Sequence, residues 1–358
     1  MPQNASFAKT LNAWYRRYAR DLPWRETADP YKIWISEIML QQTTVNAVIP
    51  YYHKWMNVFP TVRHVAGARL QKILKLWQGL GYYSRARNIH RCAKVICQEY
   101  GGKIPDDAEY LRRLPGFGPY TVGAVLSIAF DKRYPVIDAN VRRVMMRIMA
   151  LKESADTAND KAILVLLNRV MPKRNLRTFN QALMELGALV CRNRQQLCLS
   201  CPLKRFCLGY QKGIQEIIPV PKKRVIKDID AVIAIIRKDG KFLIQKRPAG
   251  GLLADLWEFP GGKIKENESP DFALSREIKE ELGIELRRSR HIMNVRHYYT
   301  QFRVDLHVSL CEPKTYPAAH KNRKWVTLKG LHRYPMPSGS AKIVDRLVNL
   351  QTETSPIF

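Results

Sequence analysis

Four cysteines lie close together near the middle of the chain: Cys191, Cys198, Cys201 and Cys207, spaced C-x6-C-x2-C-x5-C within one short basic stretch. Four soft thiolates drawn from one loop hold a metal centre, either a [4Fe–4S] cluster or a zinc ion. Zinc ribbons usually carry two C-x2-C pairs and only one is present, so the cluster leads. A disulfide pair or four unrelated buried thiols is the plainer alternative. Cys92, Cys97 and Cys311 lie outside the array.

Two carboxylates invite a second chemistry. Glu37 lies in Ile33-Trp34-Ile35-Ser36-Glu37-Ile38-Met39-Leu40, an almost wholly apolar run, and only five acidic residues occur in the first hundred. Desolvation there predicts a raised pKa and a proton held near neutrality, as a general acid requires. Asp138 follows the apolar run Pro135-Val136-Ile137 and precedes Arg142 and Arg143. It is expected to cap a basic helix and to stay ionised. Two carboxylates pushed in opposite directions make an acid/anion pair. A buried structural hydrogen bond at Glu37 and an ordinary cap at Asp138 are the non-catalytic alternatives. A third acidic group is Glu277, Glu280 and Glu281, where Glu277 and Glu281 at i, i+4 share one helical face and could hold Mg²⁺.

The elements that must position these groups fall into two textures. Residues 1 to about 207 read as helical, with apolar positions at helical spacing such as Leu70, Ile73, Leu74 and Trp77. Short breaks punctuate them: Leu22-Pro23, Gly79-Leu80-Gly81, Gly101-Gly102 and Pro115-Gly116. Pro219-Val220-Pro221-Lys222-Lys223-Arg224 reads as a stiff charged linker. Beyond it, Ala231–Ile236 and Lys241–Lys246 are β-rich runs split by the hairpin signal Asp239-Gly240. A helix is predicted over roughly Asp271–Leu282, strands over Phe302–Leu310 and Trp325–Leu328, and a closing helix from about Ser340. The organisation is an α domain over 1–210, with the cysteine loop at 191–207, a linker over 211–228 and a smaller α/β domain over 229–358.

At 358 residues, two or three domains are expected. The formal net charge is +29, from 60 Lys+Arg against 31 Asp+Glu. That excess favours a polyanionic partner, nucleic acid before anionic membrane. No apolar run approaches the ~20 residues of a membrane span. The N-terminal MPQNASFAKT has no hydrophobic signal core. A reducing, cytoplasmic setting is therefore expected.

Leu114-Pro115-Gly116-Phe117-Gly118-Pro119-Tyr120-Thr121 places a G-x-G turn between two helices, where backbone N–H groups at Gly116 and Gly118 suit a phosphate oxygen. This turn, Asp138 twenty residues later and the cysteine array together resemble the helix-hairpin-helix DNA glycosylases of the endonuclease III superfamily. Leu22-Pro23-Trp24-Arg25, Glu37-Ile38-Met39-Leu40-Gln41-Gln42-Thr43 and Gly79-Leu80-Gly81-Tyr82-Tyr83 resemble more narrowly the MutY-type adenine glycosylases, which remove adenine mispaired with 8-oxoguanine. The resemblance covers nearly the whole chain. It implies an N-terminal all-α helix-hairpin-helix glycosylase domain with an iron–sulfur loop, joined to a C-terminal α/β Nudix-like domain.

The resemblance also assigns roles. Glu37 protonates the leaving base and Asp138 stabilises an oxocarbenium-like sugar, with Tyr120 and Asn140 assisting. Strand-cutting relatives carry a lysine where this chain has Tyr120, so base removal without a β-lyase step is implied. Gln181 resembles the reader of an adenine edge. Gln42 and Tyr82 resemble residues wedged into the duplex, with core packing as the alternative. Arg25, Thr43, Gly116 and Gly118 fall in the adenine- or DNA-binding motifs. Arg192, Arg194, Lys204 and Arg205 around the cysteines fit backbone-phosphate contacts. A [4Fe–4S] cluster, duplex DNA with 8-oxoguanine:adenine mispairs, a monomer and nucleoid association follow as expectations.

The second domain departs from that pattern. Gly262-x5-Glu268-x7-Arg276-Glu277-Ile278-x-Glu280-Glu281-x-Gly283-Ile284 is a complete Nudix signature, where MutY relatives carry a degraded one. An intact box opens nucleoside diphosphate hydrolysis as a second activity. Against it, Lys324 stands where MutT-like hydrolases have a further glutamate, and Ser338 where they have an asparagine that reads the oxidised base. Tyr299, Thr300 and Gln301 resemble a hairpin that carries Phe-Ser-His in MutY relatives. The resemblance therefore assigns 8-oxoguanine reading to Tyr299, Thr300, Gln301 and Ser338, with Gln301 replacing a histidine. The reading is a monofunctional adenine glycosylase; the alternatives are a glycosylase that is also a Nudix hydrolase, and a catalytically weak lesion-binding protein.

Overall fold

The computed structural model describes residues 4–155, 157–221, 226–251, 253–299 and 301–352. By its internal contacts the chain divides into two compact units, Met1–Gly67 with Asn88–Lys223, and Ala68–Arg87 with Arg224–Phe358. The twenty residues 68–87, read from the sequence as part of the 1–210 domain, thus belong with the second unit.

The helices are α1 (Asn4–Tyr18), α2 (Pro30–Leu40), α3 (Val45–Val58), α4 (Val62–Ala66), α5 (Leu70–Trp77), α6 (Ser84–Glu99), α7 (Ala108–Arg113), α8 (Pro119–Ile128), α9 (Ala139–Met149), α10 (Asp160–Val170), α11 (Leu176–Leu189) and α12 (Leu208–Gln211). Their termini follow from local chemistry. Asp29 caps α2, its carboxylate accepting from the Tyr31 N–H at 2.9 Å, with Pro30 at the first helical position. Gly118 precedes α8 with no side-chain cap, and Pro119 again takes the start of the helix. Eight of the ten residues of α8 are buried, so this helix runs through the interior. One core joins Phe7 and Leu11 of α1 to Val144 and Met145 of α9 and to Phe179, Leu183 and Leu186 of α11.

Among the described residues of the second unit, seven strands form one sheet: β1 (Lys227–Lys238), β2 (Lys241–Lys246), β3 (Trp257–Glu258), β4 (Gly261–Lys263), β5 (Leu286–Tyr299), β6 (Phe302–Pro313) and β7 (Arg323–Thr327). The path is β3-β2-β1-β6-β5, with β4 on β1 and β7 on β2. β1 lies parallel to β6, and residues 231–236 are buried on both faces, as a parallel pair covered on each side should be. One face packs Val232, Leu243, Leu274 and Ile278 under α13 (Pro270–Leu282). The other packs Ile235, Phe242, Trp257 and Val308 with Leu331 of α14 (Leu328–Leu331) and Ile343 of α15 (Ser338–Thr352). The Asp239-Gly240 turn joins β1 to β2 as expected, with positive φ at both residues.

Candidate active site

A cavity of about 850 Å³ opens in the helical unit. Glu37, Tyr120, Asp138, Asn140, Arg25, Gln42, Thr43 and Gln181 all line it. Residues separated by up to 156 positions thus share one wall, contributed by α2, α8, α9, α11 and the turns before them.

Glu37 projects from α2 and is 5% exposed. Burial pushes its pKa up to about 7, and the neighbouring Asp138 adds to the rise. The Tyr120 hydroxyl donates to Glu37 Oε2 and opposes it. Tyr120 is thus hydrogen-bonded to Glu37; the resemblance has it assisting at the sugar. Asp138 caps α9 as expected, its Oδ1 accepting from the Val141 N–H at 2.6 Å and its Oδ2 from Asn140 Nδ2 at 3.1 Å. The expected downward push on its pKa is not found. Burial raises it, against the Val141 and Asn140 hydrogen bonds and the Arg143 charge. Burial thus moves both carboxylates upward from their ordinary values. Arg142, expected to support Asp138, instead pairs with Asp160 at 2.8 Å.

Gln181, 8% exposed, accepts from the Tyr15 hydroxyl at 3.1 Å. With its oxygen engaged, its amide nitrogen is the group free to donate to a base edge. Arg25 lines the cavity, but its guanidinium is bound to Glu185 at 2.8 Å rather than presented as a bare cation. Gln42 adopts φ 58°, a left-handed conformation unusual for a side-chain-bearing residue. Gly116 needs its φ of 85°, and a Cβ there would meet Asn88 at 2.8 Å. Gly118 faces open space. Neither glycine is in the cavity wall.

Three residues in and around this site have partners that sequence reading did not find. Glu185, on α11 one turn from Gln181, is 1% exposed and accepts from Arg20 and Arg25. Burial pushes its carboxyl up, but the two arginines outweigh that and hold it at about 2. Its i, i+4 relation to Gln181 was the available signal. Arg143 joins Asn140 Oδ1 at 2.8 Å, the Gly187 carbonyl at 2.7 Å and the Cys191 carbonyl at 2.9 Å. Gly187 permits this closeness, since a Cβ there would stand 2.6 Å from that of Asn140.

Arg147, 2% exposed, is the third. It donates to Cys191 Sγ at 3.2 Å and to the Arg192 and Ile218 carbonyls. Cys191, Cys198, Cys201 and Cys207 are free thiols lining one small cavity with it. Burial and the neighbouring thiols push Cys201 up to about 12. Among the described residues no group of three or more His, Cys, Asp or Glu side chains is arranged to hold a metal ion. Arg205, expected on DNA phosphate, bonds Ser6 and Thr10 of α1 and stacks over Phe206.

In the second unit Glu277, Glu280 and Glu281 share α13. Arg276 occupies the space among the carboxylates, bound to Glu268 at 2.7 Å, Glu277 at 2.7 Å and Glu280 at 3.3 Å. Glu281 accepts from the Gly261 N–H at 3.0 Å and from Gln245 at 2.5 Å. Lys324 does not face this helix. Strand alternation turns it to the other side of the sheet, where its ammonium lies over Trp257 and Tyr334. Its neighbour Arg323 reaches the Glu281 carbonyl. Tyr299 ends β5, Gln301 is exposed in the hairpin and Ser338 begins α15, while Thr300 lies outside the described residues. Tyr82 also belongs to this unit, at φ 45°.

Comparisons with known proteins match two modules, the first of which runs through residues 68–87. Residues 35–169 match the HhH-GPD superfamily base excision DNA repair proteins, and residues 231–346 match the NUDIX domain. The chain is 32% identical over 347 residues to the adenine DNA glycosylase of Buchnera aphidicola subsp. Schizaphis graminum, covering 95% of this chain and 98% of that one. It is 32% identical over 380 residues to the adenine DNA glycosylase of Mus musculus, covering 90% and 74%. The structure of a thermostable thymine-DNA glycosylase shares 32% identity, 57% of this chain and 95% of its own, with a TM-score of 0.53. No described helix is long and apolar enough to cross a membrane. With near-complete coverage of a curated relative and both modules matched in order, the chain belongs to the adenine DNA glycosylase family.

Proposed function

We propose that this adenine DNA glycosylase of base excision repair acts on adenine paired with 8-oxoguanine, and more weakly with guanine, and releases the base without cutting the strand. The observation that carries the mechanism is the burial of Glu37 beside Asp138 in one open cavity, with the Glu37 pKa raised to about 7. An extruded adenine enters that cavity and Gln181 donates to its edge. Protonated Glu37 gives its proton to a ring nitrogen as the C1′–N9 bond breaks, and the bonding electrons leave with the base. The sugar becomes cationic, and Asp138 stabilises it in its ionised form. The developing positive charge itself favours that ionised form over the burial that opposes it. Asn140 fixes the Asp138 carboxylate. Water adds at C1′, its surplus proton returning to the Glu37 carboxylate, to leave an abasic site.

No lysine is among the residues lining the cavity, which supports release without a Schiff base. In the second unit, Tyr299, Thr300, Gln301 and Ser338 read the base opposite adenine, and Tyr82 with Gln42 wedges the duplex. The large positive charge supports nucleoid DNA as the working partner of a monomer.

The four cysteines fit a [4Fe–4S] cluster better than a single ion. They share a cavity without converging as one ion's ligands do, and the Arg147 N–H on Cys191 is the kind of bond that stabilises a ligating thiolate. The cluster would supply a structural anchor for the loop. The Nudix carboxylates fit Mg²⁺ poorly, because Arg276 already neutralises Glu268, Glu277 and Glu280.

Single-turnover assays on duplexes with adenine opposite 8-oxoguanine, guanine and thymine test the reading. Excision fastest opposite 8-oxoguanine, leaving an intact strand that nicks only in alkali, is the expected result. Equal rates opposite all three bases would overturn the specificity, and a borohydride-trapped adduct would overturn the single-step chemistry. Purified protein is expected to carry about four iron and four sulfide per chain; stoichiometric zinc after iron-replete anaerobic expression would replace the cluster.

A further inference from the structure

The segment 68–87 is fastened to the second unit by a row of side chains. Gln71 accepts from Trp257 Nε1 at 3.0 Å and donates to the Asp255 carbonyl at 3.3 Å. Lys75 donates to the Tyr334 carbonyl at 3.3 Å, and Arg87 to the Ala254 carbonyl at 2.8 Å. Met336 is held at both of its backbone groups. Its N–H donates to Gln78 Oε1 at 3.3 Å and its carbonyl accepts from the Tyr83 hydroxyl at 3.1 Å. Met336 and Tyr83 are 2% and 3% exposed, so the bond between them is buried and its loss leaves polar groups without water to replace it, while the bond to Gln78 is partly buried.

Gln78 and Tyr83 bracket the four residues 79–82. Three of those four have positive φ: Gly79 at 108°, Gly81 at 69° and Tyr82 at 45°. For a tyrosine that conformation is costly and persists only where the surroundings impose it. The surroundings are specific. Trp77 Nε1 donates to the Gly81 carbonyl at 3.0 Å, and Arg85 donates to the Leu80 carbonyl at 2.9 Å. The Arg85 guanidinium also lies 5.4 Å from the centre of the Tyr82 ring. Met336, for its part, stands two residues before Ser338, the first residue of α15. A displacement of the 79–82 loop must therefore be felt at Ser338, and the reverse.

We propose that Gln78 and Tyr83 are positioning residues that determine specificity. By gripping Met336 they make the Tyr82 loop and the Ser338 corner one rigid piece, so that wedging of the duplex and inspection of the opposite base occur as a single event. The inference rests on the reading of Tyr82 as wedge and Ser338 as lesion reader. A duplex whose opposite base does not suit Ser338 then resists insertion of Tyr82, and discrimination exceeds what Ser338 contacts alone provide.

Tyr83→Phe removes one hydroxyl and Gln78→Ala one acceptor. Each is expected to lower the ratio of single-turnover excision rates, 8-oxoguanine over guanine, by about five-fold, the loss of one buried hydrogen bond. A merely structural role would instead slow both substrates by the same factor, or lower the thermal midpoint with the ratio unchanged, and either result overturns the proposal. Ser338→Ala separates the two levels. If it leaves the ratio unchanged, the lesion-reader reading has failed. If it lowers the ratio while Tyr83→Phe and Gln78→Ala do not, the grip on Met336 alone has failed. In the double variant Tyr83→Phe/Ser338→Ala the two losses should overlap, with a combined effect well below the product of the single ones; independent multiplication would show two separate functions.

Discussion

The helical unit and the second unit each gather carboxylates, and they surround them oppositely. In the helical unit Glu37 and Asp138 are buried with hydrogen bonds but with too little positive charge to offset desolvation, so both pKa values rise, Glu37 to about 7. In the second unit Glu268, just before α13, shows the reverse, brought down to about 2 by hydrogen bonds from Arg276, whereas Glu281, which Arg276 does not pair with, is raised by burial. Arg276 at the same time pairs with Glu277 and Glu280. The lesson is that a complete acidic motif does not by itself make a reactive site. What matters is whether a counter-charge has been supplied. Where it has, as at Glu268, the carboxylate acts as a structural tie; where it is withheld, as at Glu37, burial lets the carboxyl hold a proton near neutrality.

The sharpest way to break the contrast is Glu37→Gln. Removing the proton donor while keeping its shape should lower adenine excision by ~10²–10⁴-fold with duplex binding nearly unchanged. Substantial remaining excision in a single-turnover assay would show that the withheld charge at Glu37 serves packing only. Next in size is Glu185, the one cavity carboxylate that does have its counter-charge. Glu185→Ala leaves Arg20 and Arg25 without their shared acceptor, and chemical unfolding should show a loss of about 3–5 kcal/mol. A loss below about 1 kcal/mol would mean that the two arginines find other partners.

The third test uses pH. Glu37 is easier to protonate folded, at about 7, than unfolded, at the ordinary carboxylate value. Its contribution is therefore most favourable in acid and is lost as pH rises toward about 7. Glu37→Gln should be stabilising above pH 7, by at most about 3 kcal/mol, and the gain should fade below about pH 4.5. Thermal midpoints of both proteins across that range provide the check, and a constant difference would contradict the raised pKa. Excision by the wild type should slow as pH rises through the same region. The smallest effect is expected at the second acidic group. Glu281→Gln should change excision less than about two-fold. The wild type should show no Mg²⁺-dependent hydrolysis of 8-oxo-dGTP; turnover abolished by that substitution would make α13 a working site and end the contrast.

Much of this was legible from residue order, and the failures have a common cause. Glu37 betrayed itself by standing in an apolar run, and Asp138 by ending one before a helix. Both are local signals. Glu185 and the contacts of Arg143 escaped sequence reading, because their partners are 165 and 48 positions away. The ionised state expected for Asp138 was inferred from Arg142 and Arg143 nearby in sequence. Arg142 turns to Asp160 instead, which position along the helix does not disclose. Lys324 was weighed as a missing metal ligand, but a one-residue step in a strand changes the face, and the face decides what a side chain meets.

The grip on Met336 has a further consequence in time. Tyr83 and Met336 are 253 positions apart. At about 5–20 residues per second, roughly 10–50 s of synthesis separate them on the ribosome. Through that interval the helical unit can close around Glu37 and Asp138, while residues 68–87 still await the strands that will fasten them. On the reading proposed for Ser338, the nascent protein acquires its means of breaking a bond before its means of choosing which bond to break.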